Sequence, residues 1–266
     1  MSTLAVSDLD VGYADFQALF GVSVELAAGE TVALVGANGA GKTTLLITIA
    51  GALRPWRGTI ALDGADITGQ PDYQRARSGV VLVPEGRRLF PSLTAEENIL
   101  IPAGTRGRRD AGPWTLDALY ELFPMVAARR SHRAALLSGG EQQAVAIARA
   151  LAANPAVLLL DEVSLGLAPA IVDAFYQMLP RIQSSGVAVL LVEQDIDRAL
   201  AASARTLCLL EGRMVMSGES GSLNRDALIA AYFGAPGAPP GTRPAGPSGP
   251  AGPAPPTPPA PPVVRT

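Results

Sequence analysis

Residues 35–44 read VGANGAGKTT, and they hold the only lysine of the 266-residue chain; every other basic side chain is arginine. The stretch fits G-x-x-x-x-G-K-[ST] at Gly36, Gly41, Lys42 and Thr43. It follows an apolar, β-branched run, TVALV (31–35), and opens a helical pattern over 42–52. That strand–loop–helix context is what a phosphate-binding loop requires. Gly36, Gly39 and Gly41 let the backbone curl, so that successive N–H groups from Gly36 through Ala37, Asn38, Ala40 and Thr44 point inward at phosphate oxygens. The helix that follows adds the partial positive charge of its N-terminus. Lys42 carries a compact ammonium that fits between the β- and γ-phosphates of a nucleotide; a guanidinium is broader, with fixed donor directions. Thr43 is expected to place its hydroxyl on Mg²⁺.

VLLLDE (157–162) is the matching half. An apolar run ends in two carboxylates, Asp161 and Glu162, at the sheet's C-terminal edge, where α/β ligands bind. Asp161 is expected to help hold the magnesium shell, and Glu162 to orient or deprotonate the attacking water.

The runs VVLV (80–83), VLLL (157–160) and VAVLLV (187–192) lack alternation, as central strands of a parallel sheet do. Helical patterns at 169–183 and 195–203 alternate with them, which predicts an α/β layered sheet covered by helices. VSVELAAGE (22–30) and TIALDG (59–64) alternate and read as antiparallel strands. LCLLEGRMVM (207–216) reads as a hairpin around Glu211-Gly212. Residues 88–150 show helical patterns without a convincing strand and are expected to form a mostly helical insert. From Pro236 onward 13 of 31 residues are proline, so 235–266 is expected to be a disordered tail or a ligand for a proline-binding module, appended to a domain spanning 1–234.

The bulk numbers exclude several classes. A net charge of −3 argues against a nucleic-acid footprint. The pairs Arg87-Arg88, Arg108-Arg109 and Arg129-Arg130 are too short for a basic arm and read as solvated faces or local anion contacts. Cys208 is the only cysteine and His132 the only histidine, which rules out cysteine clusters and multi-histidine metal sites. Cys208 reads as a small buried apolar residue. No apolar run reaches the about 18 residues that span a bilayer. The N-terminus lacks a basic n-region and an apolar h-region, so the chain is expected to stay in the cytosol.

LSGGEQQ (137–143) adds a second anion site, built from a serine hydroxyl, glycine amides and the start of a helix expected over 141–153. Alone, SGGE is only a helix cap. With the other motifs in order, it resembles the signature sequence of ATP-binding-cassette (ABC) ATPases, and the resemblance covers roughly residues 3–233. It implies a P-loop NTPase fold with a RecA-like core, an antiparallel β-subdomain and the helical insert, binding ATP and Mg²⁺. It also implies that two ATPase subunits pair head to tail, so that Ser138, Gly139, Gly140 and Glu141 close over the partner's nucleotide. Tyr13, placed ahead of the first strands, falls where the family stacks an aromatic on adenine; an ordinary edge tyrosine is the alternative.

LVPEGRRLFPSLTAEENI (82–99), DEVSLGLAP (161–169) and LLVEQDIDRAL (190–200) look like their counterparts in ATPase subunits of branched-chain amino-acid importers. Three positions depart from the general family pattern. Glu85 stands where a glutamine senses Mg²⁺, and the extra carboxylate either adds a metal ligand or raises the demand for the metal. Gln194 replaces the histidine that contacts the γ-phosphate; it donates one neutral hydrogen bond and cannot be protonated, which predicts a weaker and less pH-sensitive contact. Ala168 replaces an aspartate at the dimer seam.

The resemblance implies a peripheral ATPase on the cytoplasmic face of the cell membrane, driving import of branched-chain amino acids or a related small solute. Its partners would be a sister or identical ATPase, two permease subunits and, indirectly, an extracytoplasmic solute-binding protein. The alternatives are a soluble cassette ATPase of DNA repair or translation, which lacks support from coiled-coil heptads or a second cassette, and a P-loop kinase, which leaves the signature unexplained.

Overall fold

The computed structural model describes residues 3–102 and 112–233; the proline-rich tail, Arg108-Arg109 and the middle of the insert lie outside the described residues. The chain starts with β1 (Leu4–Tyr13) and β2 (Phe16–Leu26), which with β4 (Arg57–Leu62) and β5 (Ala65–Asp66) make an antiparallel sheet in the order β2-β1-β4-β5. Tyr13 is therefore the last residue of β1, not a residue ahead of the strands. β1 is hard to read from sequence because its register with β2 shifts between Val6 and Leu9, where Asp8 takes φ 49°. Such a bulge breaks the two-residue alternation that marks a strand.

The second sheet has the order β10-β9-β3-β8-β7-β6. It contains β3 (Thr31–Val35), β6 (Val80–Val83), β7 (Val157–Asp161), β8 (Ala188–Glu193) and the hairpin β9 (Arg205–Leu210) and β10 (Arg213–Glu219). All neighbours pair in parallel except β9 and β10, which turn through Glu211-Gly212 as the sequence predicts. Every residue of β3, β7 and β8 is buried. The reason lies in the packing. Val157 and Leu159 enter the core shared with the antiparallel sheet, whereas Leu158 and Leu160 enter the core beneath the helical insert. Both faces are apolar, so the runs show no alternation.

Helices α1 (Lys42–Ile49) and α2 (Asp72–Ser78) precede β6. Between β6 and β7 come α3 (Ala95–Leu100), α4 (Leu116–Leu122), α5 (Pro124–Ala128), a 3₁₀ turn at Ala134–Leu136 and α6 (Gly139–Ala152). α7 (Pro169–Ser184), α8 (Ile196–Ala202) and α9 (Arg225–Tyr232) complete the described elements. Cys208 is fully buried in a small core with Ala199 and Leu228, and burial pushes its thiol up to about 11. Among the described residues no helix is long and apolar enough to cross a membrane.

Candidate functional site

Strand order decides which loops meet. β8 lies between β3 and β7, and the registers pair Val35 with Glu193 and Asp161 with Val192. The loop after β3, Gln194 after β8 and Glu162 at the end of β7 therefore emerge side by side on one sheet edge, above α1.

The loop is held by packing as well as by its glycines. A Cβ at Gly36 would collide with the Leu209 carbonyl of β9. Gly41 sits at φ 104°, a left-handed conformation that glycine adopts without strain. Gly41 is also the N-cap of α1 and supplies no side-chain cap, whereas Thr94, Ser138 and Asn224 cap their helices. The first amides of α1 consequently face the cleft without a capping oxygen, as an anion site needs. Lys42 is 5% exposed and folds its Nζ onto the carbonyls of Gly36 (2.7 Å) and Ala37 (3.1 Å), 3.4 Å from Glu162 Oε1. A buried ammonium at the floor of a ring of backbone is the arrangement expected for phosphate oxygens.

Thr43 Oγ1 donates to Asp161 Oδ1 at 3.3 Å. Asp161 is 2% exposed, and burial is the main cause of a carboxyl pushed above its ordinary value; Glu162 and Glu85 push the same way, while Thr43 and Lys42 oppose them. A buried acid beside two further acids is stabilised by a nearby cation. Thr43, Asp161 and Glu85 are the hard oxygen donors that fit Mg²⁺. Among the described residues no group of three or more His, Cys, Asp and Glu forms a metal cage.

Glu162 occupies φ 48°, a strained conformation for a side-chain-bearing residue. Its Oε2 accepts from Gln194 Nε2 at 2.6 Å, and Gln194 also reaches Asn38 Oδ1 at 3.3 Å. The cleft, about 820 Å³, brings together Tyr13, Asn38, Gly39, Gly41, Lys42, Thr43, Thr44, Glu85, Glu162 and Gln194. Tyr13 is half-exposed at its rim, with its hydroxyl 3.3 Å from Thr44 Oγ1.

The signature residues do not line that cleft. Ser138 caps α6 by accepting from Glu141 N, while Glu141 accepts from Ser138 N at 2.7 Å and holds Arg129 at 3.3 Å. The Ser138 backbone N–H is the first cause that draws the Glu141 carboxyl below its ordinary value. Glu141 thus serves the helix cap, and the exposed Ser138 and half-exposed Gly139 and Gly140 remain on a separate surface.

Residues 19–164 match the ABC transporter family. The high-affinity branched-chain amino acid transport ATP-binding protein BraG of Pseudomonas aeruginosa is 41% identical over 232 residues, 87% of this chain and 99% of that relative. The chain belongs to the ABC transporter family. The lipopolysaccharide export system ATP-binding protein LptB of Acidithiobacillus ferridurans is 33% identical over 80% of this chain and 88% of its own. Among solved structures, a dimeric ATP-binding cassette in a post-hydrolysis state bound to ADP and Pi superposes with TM-score 0.71 at 28% identity, over 82% of this chain and 98% of that one. The protein is accordingly an ATP-binding ABC ATPase with the P-loop NTPase fold, similar to the ATPase subunits of branched-chain amino-acid transporters.

As an ABC cassette it has features that its motifs did not announce. Phe16, Phe20 and Arg213 also line the cleft, and Arg213 lies over the Phe20 ring at 4.5 Å. Phe16 and Phe20 belong to β2, and the β9–β10 hairpin, whose Gly212 carbonyl accepts from the Phe20 amide at 2.9 Å, brings Arg213 to them from a remote part of the sequence. Arg87 and Arg88 both take positive φ (64° and 45°), and Arg149 of α6 donates to their carbonyls at 3.2 and 2.9 Å. This ties the segment after Glu85 to the signature helix. His132 lies 3.5 Å from Arg129 Nη1, outside the cleft. Ala168 is the N-cap of α7 and offers no side-chain cap.

Proposed function

We propose that this cassette binds ATP with Mg²⁺ in the cleft above α1 and hydrolyses it as one of two ATPase subunits, on the cytoplasmic face of the membrane, to drive import of branched-chain amino acids or a related small solute. The observation that carries the reading is the separation of the two anion sites: Lys42 and Glu162 share one cleft, and Ser138–Gly140 stand outside it. A second cassette, a sister or a copy, would bring its signature over this nucleotide, and this chain's signature would close over the partner's.

Within the cleft, the loop amides and Lys42 bind the β- and γ-phosphates, and Tyr13 offers its ring to the adenine. Thr43, Asp161 and Glu85 would hold Mg²⁺, which neutralises phosphate charge as it develops. Glu162 accepts the proton of the attacking water, with Gln194 fixing its second oxygen and reaching toward the γ-phosphate. Lys42 must release the Gly36 and Ala37 carbonyls to meet the nucleotide.

Phe90, Leu100, Ile101 and Leu136, all between β6 and β7, are large apolar residues left exposed. They offer an apolar surface to two permease subunits, to which a solute-binding protein delivers cargo from outside. Import is favoured over export by the greater likeness to BraG than to LptB. The test is reconstitution in proteoliposomes with candidate permease subunits of a branched-chain amino-acid transporter and its solute-binding protein. ATP-driven uptake of radiolabelled leucine supports the reading; extraction of lipid without amino-acid uptake refutes the importer assignment.

A further inference from the structure

The nucleotide site as described leaves one buried acid unused. Glu193, the last residue of β8, is 2% exposed and directly precedes Gln194. Ser164, two residues beyond Glu162, sets its hydroxyl against both oxygens of that carboxylate, 2.8 Å from Oε1 and 3.0 Å from Oε2. The Tyr176 hydroxyl of α7 is buried near the same carboxylate and has no hydrogen-bond partner at good geometry. Burial pushes the Glu193 carboxyl above its ordinary value, against the Tyr176 and Ser164 hydroxyls.

These contacts close a ring. Glu162 is joined to Gln194 by the 2.6 Å side-chain hydrogen bond, Gln194 to Glu193 and Glu162 to Ser164 by the chain, and Ser164 to Glu193 by its hydroxyl. The Glu162 amide adds a backbone bond to the Val192 carbonyl at 3.2 Å. The loop after β7 is thereby tied to the end of β8 and to Gln194 at three points, two at Glu162 itself and one at Ser164. A positive φ at Glu162 persists only when its surroundings over-determine it, and this ring does so.

We propose that Glu193 is a positioning residue for hydrolysis: through Ser164 it holds the strained Glu162 loop and Gln194 at a fixed separation, and it touches neither nucleotide nor water. The inference rests on the assignment of Glu162 and Gln194 to the hydrolytic step. A packing role alone predicts that removing Glu193 lowers stability and leaves the turnover of the folded fraction unchanged. A positioning role predicts a selective loss of kcat, because nucleotide binding depends on the loop around Lys42, whereas the Glu193 carboxylate takes its hydrogen bonds from Ser164 in the loop after β7.

The experiment compares Glu193→Ala, Glu193→Gln, Ser164→Ala and the double variant Glu193→Ala/Ser164→Ala in the full-length chain. Steady-state ATP hydrolysis, ATP affinity and thermal midpoint are measured for each. Glu193→Ala should lower kcat about tenfold or more with KM for ATP within about twofold, since small misplacements of a catalytic group carry losses of this order. Ser164→Ala should match it, and the double variant should lose little beyond either single one, because the two act as a unit. Glu193→Gln should recover most of the rate, as its amide oxygen still accepts the Ser164 hydroxyl.

Hydrogen exchange provides a readout that does not need turnover: Glu193→Ala should accelerate exchange at residues 162–167 without raising it in α1. Unchanged kcat and unchanged exchange in Glu193→Ala would overturn the proposal, as would a Glu193→Gln variant no better than Glu193→Ala. Glu162→Gln separates the layers. If it is inactive while Glu193→Ala turns over normally, the positioning role alone fails; if it turns over normally, the assignment of Glu162 fails first.

Discussion

Gln194 Nε2 lies 2.6 Å from Glu162 Oε2 and 3.3 Å from Asn38 Oδ1, so one neutral amide links the acid at the end of β7 to the phosphate loop. A histidine in this place would titrate near neutrality; an amide does not. Gln194→Ala should lower the ATPase rate by roughly tenfold, the loss of one positioned hydrogen bond to a charged group. Gln194→His should introduce a rate inflection near pH ~6.5 that the native chain lacks. Rate–pH profiles of the two proteins check this, and an identical inflection in both would argue against Gln194 as the γ-phosphate contact.

Lys42 is enclosed by the carbonyls of Gly36 and Ala37 and by Glu162. Charge alone would tolerate arginine there, but a ring of that size does not accommodate a planar fork. Lys42→Arg should lose ATP affinity by about 100-fold or more, approaching Lys42→Ala, since every ~1.4 kcal/mol of lost contact is tenfold. Equilibrium binding of a fluorescent ATP analogue measures it; an arginine variant with native affinity would refute the size argument.

Arg75 is 1% exposed, and its guanidinium donates to four backbone carbonyls, those of Thr48, Ile49, Thr68 and Gln70. Two of these end α1, so Arg75 satisfies the C-terminus of the helix that begins at Lys42. Arg75→Met fills similar space but leaves those acceptors without donors, at a loss of about 3 kcal/mol. The expected readout is a lower urea midpoint with an unchanged m-value. An unshifted midpoint would show that water replaces the guanidinium.

Ala168 starts α7 without a cap. Ala168→Asp should stabilise the isolated chain by about 1 kcal/mol, through a cap to the first turn and a favourable charge at the helix N-terminus. A thermal melt reads the gain, and a fall in midpoint would place a competing negative charge against this helix end.

Local signals carried much of this fold and site into the sequence. The buried strands are legible as unbroken apolar runs because Val157 and Leu159 face one core and Leu158 and Leu160 the other. The phosphate loop and the Asp161-Glu162 pair are legible because each is contiguous and its spacing follows from its chemistry. The bulge at Asp8 hides β1, and with it the place of Tyr13 at that strand's end. The contributions of Phe20, Arg213 and Glu193 are not legible, since they arise from tertiary adjacency: β8 lies beside β3, the β9–β10 hairpin packs its turn against Phe20 of β2, and no local pattern encodes either. Arg149 is equally silent, because its partners are the carbonyls of Arg87 and Arg88, 62 and 61 residues away along the chain.

The central claim is that Glu162 drives hydrolysis of an ATP held by Lys42 and the loop. Steady-state turnover of Glu162→Gln, measured beside its ATP affinity, tests it most directly. The expected result is native-like affinity with turnover reduced by about 100-fold or more, the contribution of a positioned general base. Turnover equal to that of the unsubstituted chain would contradict it.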